Sequence, residues 1–119
     1  MASSSAFRDR MVGLLLPFGP VRARSMFGGF GLYLDGIMFA LIAYDTLYFK
    51  VDGANRGDFV AAGMSAFSYE GRHRPIELSY YEVPPALLRD PPSLAEWAAR
   101  AHEAAKRAKR KQPAKKKRS

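Results

Sequence analysis

Residues 30–51 read FGLYLDGIMFALIAYDTLYFKV, and this stretch decides the fold. Two apolar runs flank Asp35-Gly36, and a third follows Tyr44-Asp45-Thr46. Asp-Gly between such runs marks a two-residue hairpin loop, because a type I′ turn needs positive φ at both central residues. The spacing predicts three consecutive antiparallel strands, a meander against which the rest of the chain packs. A two-residue loop pairs Leu34 with Ile37, Tyr33 with Met38 and Leu32 with Phe39. Strict alternation then sets Leu32, Leu34, Ile37, Phe39 and Leu41 on one face, with Tyr33, Met38, Ala40 and Ile42 on the other. Both faces are apolar, so either helices cover both or one face meets another subunit. The third strand turns Leu47, Phe49 and Val51 inward.

Upstream of the meander, Ser3 to Ser5 offer helix N-caps. Phe7, Met11, Leu14, Leu15 and Phe18 then recur on one helical face, until Pro17 and Gly19-Pro20 end it. Val21 to Phe27 alternates and suits a short lead-in strand. The GGFG string at residues 28–31 opens a hairpin rather than a helix, and no GK[ST] follows, so it reads as a turn or bulge and not as a phosphate loop. Downstream, Asn55 is placed to cap a short helix reaching Ala62, with Gly63 at its C-terminal end. Two further strands follow, about Ala66 to Tyr69 and Ile76 to Val83, joined by a loop holding Arg72, His73 and Arg74. After Pro84-Pro85 comes a short helical turn over Ala86 to Arg89. Ser93 and Glu96 have capping-box spacing at the start of a final helix. Leu94, Trp97, Ala98, Ala101, Ala104 and Ala105 form its inward stripe. The element order is α-β(3)-α-β(2)-α, an α+β fold of two layers with an antiparallel sheet and a C-terminal helix.

The 119 residues fit one domain with a modest core. No cysteine is present, which removes disulfides and thiolate chemistry. The start, MASSSAF, lacks the pattern of a secretory signal, and no apolar run reaches the length of a membrane span. These features set an expectation of a soluble cytoplasmic protein. The net charge of +8 is unevenly placed. Lys106, Arg107, Lys109, Arg110, Lys111, Lys115, Lys116, Lys117 and Arg118 follow the last acidic residue, whereas residues 1–105 hold 10 basic against 11 acidic side chains. The division expected is a nearly neutral domain over 1–105 and a disordered lysine- and arginine-rich tail over 106–119. Such a tail attracts DNA or RNA through counterion release, with steep salt dependence and little sequence preference.

Catalytic signals are sparse. His73 reads as a solvated loop residue and His102 as a surface helix residue, and no His, Cys or carboxylate cluster has metal-ligand spacing. No nucleophile turn accompanies His73. No cofactor is implied, and no catalytic residue is nominated. A pocket near Arg24, Lys50 and His73 is the alternative that a ligand-binding domain or small enzyme requires.

Arg22 to Asp52 (RARSMFGGFGLYLDGIMFALIAYDTLYFKVD), Phe67 to Glu70 (FSYE), Ser79 to Pro84 (SYYEVP) and Leu94 to Ala101 (LAEWAARA) together resemble the N-terminal domain of the TfoX/Sxy family. That resemblance implies the same α-β(3)-α-β(2)-α order. It also implies a role in transcription regulation of bacterial competence alongside a transcription activator, and it supplies no catalytic residue. Full-length regulators of this kind continue into a second, helical domain, where this sequence has its lysine-rich end. The expectation is a non-enzymatic regulatory or adaptor domain with nucleic-acid contact through the basic tail. A protein partner would dock on the sheet, with a homodimer on the second apolar face as the structural alternative.

Overall fold

The computed structural model describes residues 3–26, 28–70 and 75–111. Helix α1 (Ser5–Leu14) precedes strands β1 (Arg22–Met26), β2 (Gly29–Leu34), β3 (Ile37–Ala43) and β4 (Thr46–Lys50). Helix α2 (Arg56–Ala61), strands β5 (Ala66–Glu70) and β6 (Pro75–Glu82), a 3₁₀ turn (Pro85–Arg89) and helix α3 (Pro91–Lys111) complete the chain. The six strands form one antiparallel sheet in the order β1-β2-β3-β4-β6-β5. The lead-in segment pairs along its whole length with β2, so four strands, not three, precede α2.

Both meander turns are two-residue loops with positive φ throughout: Asp35 at 55° and Gly36 at 76°, Tyr44 at 54° and Asp45 at 53°. Beyond the first turn the register departs from strict alternation. Leu34 pairs with Ile37 and Tyr33 with Met38, but Leu32 faces Ala40 because a β-bulge intervenes. One extra residue reverses the side-chain parity of everything that follows it. Ala40 and Ile42 therefore join Leu32 and Phe30 on the core side, and Leu41 moves to the opposite side, reversing the faces expected for these three residues. Phe39, at the bulge, keeps its place in the core and is fully buried. The core row now runs Ala23, Leu32, Ala40, Phe49, Tyr81 and Ala66 across the sheet. Gly29 is required where β2 passes β3, since a Cβ there would collide with the Ile42 carbonyl.

All three helices cover one face. Met11 and Leu15, Phe59 from α2, and Leu94, Ala98, Ala101 and Ala105 from α3 share a single buried cluster with Leu32, Phe39, Ile42, Phe49 and Val51. The Ser4 hydroxyl accepts from the Phe7 N–H and caps α1. Ser3 and Ser4 also bind Asp45, tying the N-terminus to the second turn. Helix α3 starts earlier than the capping box placed it. Asp90 accepts from the Ser93 hydroxyl at 2.8 Å and its carbonyl from the Leu94 N–H, with Pro91 and Pro92 in the first turn, where a missing N–H costs nothing. Asn55 makes no side-chain cap on α2. Its amide instead accepts from the Asp52 N–H at 2.8 Å and donates to the Lys50 carbonyl at 3.0 Å, bracing the exit from β4.

Helix α3 continues to Lys111, so Lys106 to Lys111 are helix and not part of a disordered tail. The physical reason is a tertiary anchor beyond the alanine stripe. Arg107 donates two hydrogen bonds to the Asp52 carboxylate, at 2.7 and 3.0 Å. Among the described residues no helix is long and apolar enough to cross a membrane.

Candidate nucleic-acid interface

The cationic residues after Ala105 divide by position. Lys106 pairs with Glu103 one turn back at 3.0 Å, which holds the Glu103 carboxyl below its ordinary range. Arg107 is held by Asp52, and that hydrogen bonding raises its already high pKa. Lys109 and Arg110 are exposed and have no ion pair among the described residues. Lys111 closes the helix. Lys115, Lys116, Lys117 and Arg118 lie outside the described residues, as do Arg72, His73 and Arg74. Two of the nine cations are thus paired with carboxylates, and Lys109 and Arg110 present charge at the end of α3.

His102 is not a surface residue. It is 7% exposed, its Nε2 lies 2.9 Å from the Leu34 carbonyl, and its ring meets Phe18 and Phe39 edge-on at 5.8 and 5.9 Å. A carbonyl only accepts, so Nε2 carries the hydrogen. The signal was present in the sequence, because 94, 98, 101, 102 and 105 fall on one face of a 3.6-residue helix.

The face of the sheet away from the helices holds the arrangement that sequence reasoning missed. Strand register sets Arg24, Gly31, Leu41, Tyr48 and Glu82 in one row across it. In the next, Arg22 faces Tyr33, Tyr33 faces Met38, and Lys50 faces Tyr80. Tyr33, Met38, Lys50 and Tyr80 line one depression whose rim is closed by Ala105, Ala108 and Lys109 of α3. A second, bounded by Arg22, Arg24, Tyr33 and Asp35, adjoins it at Tyr33. The Met26 and Met38 sulfurs lie over Gly31, which has no side chain to displace them. Tyr48 packs edge-on against Phe67 at 5.0 Å. Arg24 and Lys50 thus border the same pair of depressions, whereas His73 lies outside the described residues.

Each of two tyrosines is capped by a cation. The Arg24 guanidinium stands 5.5 Å from the Tyr33 ring centre, and Lys50 Nζ stands 5.3 Å from that of Tyr80. Lys50 Nζ also donates to the Ser79 hydroxyl at 2.6 Å. Burial lowers the Lys50 pKa, with Asp52 acting in the opposite sense. Burial pushes the Tyr80 hydroxyl up to about 12, and the neighbouring Tyr33 adds to this. Burial first and Glu82 second raise Tyr48. The described residues contain no group of three His, Cys, Asp or Glu able to hold a metal ion. The chemistry on offer is recognition by positive charge and aromatic rings.

Comparison with known proteins agrees with the motif resemblance. The DNA transformation protein TfoX1 of Aliivibrio fischeri is 28% identical over 90 residues, which cover 76% of this chain and 43% of that protein. The chain thus spans less than half the length of this curated relative. A sequence model of the TfoX N-terminal domain matches residues 13–105, from within α1 to the last buried alanine of α3. The chain belongs to the TfoX N-terminal domain family.

Proposed function

We propose that this domain is a non-enzymatic regulatory adaptor whose cationic C-terminal segment contacts nucleic acid. The observation that carries the reading is the position of the charge. Lys109 and Arg110 project from the end of α3 without acidic partners among the described residues, and the sequence beyond them adds Lys115, Lys116, Lys117 and Arg118 with no acid. Phosphates neutralise such a run by counterion release. Three polar side chains of the body serve structure: His102 bonds to Leu34, Asn55 braces a loop and Asp52 holds Arg107. The match to a DNA transformation protein supports a competence-related role; a cytoplasmic location, transcription regulation and a transcription activator as protein partner belong to the same proposal.

The test compares the whole chain with chains ending at Lys111 and at Ala105, using duplex DNA retardation in low salt. Retardation weakens for the first truncation and vanishes for the second. The slope of log affinity against log salt falls by up to about 0.9 for each phosphate-contacting cation removed. Ending at Lys111 keeps the Arg107–Asp52 pair, so the truncated chain denatures no more easily than the whole chain. Unchanged retardation by both truncated chains overturns the reading.

A second reading rests on the two depressions that meet at Tyr33 and are bordered by Arg24 and Lys50. It makes the domain a binder of a small anionic ligand. Saturable binding of a mononucleotide, lost in Arg24→Gln, supports that reading, and the absence of such binding removes it.

A further inference from the structure

We propose that the uncovered sheet face binds single-stranded nucleic acid, with Tyr33 and Tyr80 stacking bases and Arg22, Arg24, Lys50 and Lys109 taking phosphates. The inference rests on the nucleic-acid reading above but adds a second site of different character. The end of α3 offers charge alone, whereas the sheet offers charge interleaved with rings.

Three features of the face point to this ligand. First, rings and cations alternate: Arg22 beside Tyr33, then Met38, then Lys50 beside Tyr80, with Lys109 at the margin. The backbones of Tyr33 and Tyr80 are three strand spacings apart, roughly 14 Å, with a flexible methionine between them, and their side chains lean into one depression. Second, Lys50 is a half-buried cation in contact with a hydroxyl and a ring, both neutral, and the Asp52 charge offsets its burial only in part. Its depressed pKa shows the cost of that setting, and a phosphate placed there relieves it. Third, the cation over each ring is a long side chain. It can swing to a flanking phosphate while a base takes its place on the ring, and such stacking tolerates every base.

Other occupants fit less well. A duplex hides its base faces, so the rings would meet only backbone. A second copy of the chain would set Arg22, Arg24, Lys50 and Lys109 against their own counterparts. An acidic protein segment satisfies the cations but gives no reason for the ring-and-cation pairing, and it is an explicit outcome of the test.

The test uses the full chain and fluorescence anisotropy, with a labelled oligothymidylate of about 12 nucleotides, within the 4–16 that single-strand sites commonly cover. An abasic strand of equal length has the same charge and no bases. Wild-type protein binds the oligothymidylate about tenfold more tightly than the abasic strand. Tyr33→Ala removes that preference and leaves abasic binding unchanged, whereas Tyr33→Phe retains it. Arg24→Gln and Lys50→Met weaken both strands several-fold. Lys50→Met denatures no more easily than wild type, which separates lost binding from lost folding. Equal wild-type affinity for the two strands overturns the proposal, as does a preference that survives Tyr33→Ala. Poly-glutamate that competes as well as the oligothymidylate, and loses its grip equally in Tyr33→Ala, assigns the face to an acidic protein partner instead. These outcomes are independent of the truncation test. Duplex retardation can fail while base preference persists, and the reverse.

Discussion

Tyr44 occupies a backbone position that suits glycine or asparagine, at φ 54° and 59% exposed. The turn demands that conformation, and the bonds from Ser3 and Ser4 to Asp45 hold it in place. Tyr44→Asn keeps the turn with less strain and raises stability by about 0.5–1 kcal/mol in urea denaturation. Asn55 is the opposite case, a 2% exposed amide whose two hydrogen bonds join β4 to α2. Asn55→Ala leaves Lys50 C=O and Asp52 N–H without that partner and costs about 2 kcal/mol by the same measurement. Tyr80 supplies a pH signature. Its pKa is raised to about 12 from the ordinary 10.0, so the folded state holds the proton longer than the unfolded chain. The stability this contributes is complete below 10 and declines as pH rises through about 12. Tyr80→Phe flattens that alkaline decline, read as the denaturation midpoint against pH.

At the scale of elements, α3 shows how a small-residue stripe and one large anchor work together. Ala98, Ala101 and Ala104 are fully buried and let the helix lie close to the sheet. Trp97, partly buried, meets Phe59 of α2 edge-on at 4.8 Å. Trp97→Ala therefore loosens both helices and lowers stability by about 2 kcal/mol, with amide exchange rising in α2 as well as α3. Arg107 acts at the far end of the same helix. Arg107→Ala leaves the sheet intact and speeds amide exchange over residues 106–111, because the tie to Asp52 is what carries the helix past its last buried alanine. Unaltered exchange there would show that the last turns persist without it. The inward stripe was legible because it follows helical spacing. The anchor was not, because Asp52 lies 55 positions away from its partner.

For the molecule as a whole, placing every helix on one side of the sheet leaves the other side without a helical cover. The sequence by itself determined the meander turns, the Ser4 cap, the alanine stripe and the order of elements apart from the count of strands before α2. Each of these depends on residues within a turn or two of one another, where propensity and spacing act directly. It also carried the family resemblance, in contiguous words such as SYYEVP. Only the tertiary structure decided which face of the meander is core. A bulge beside Phe39 inserts one residue, and parity along β3 depends on that count rather than on local preference. The same counting brought Arg22, Tyr33, Lys50 and Tyr80 to one open face from four strands, although nothing in the stretch 30–51 distinguishes Tyr33 from a core residue. The partners of His102 and the capture of Arg107 were likewise settled by what packs against α3, since a helix presents its side chains without specifying their partners.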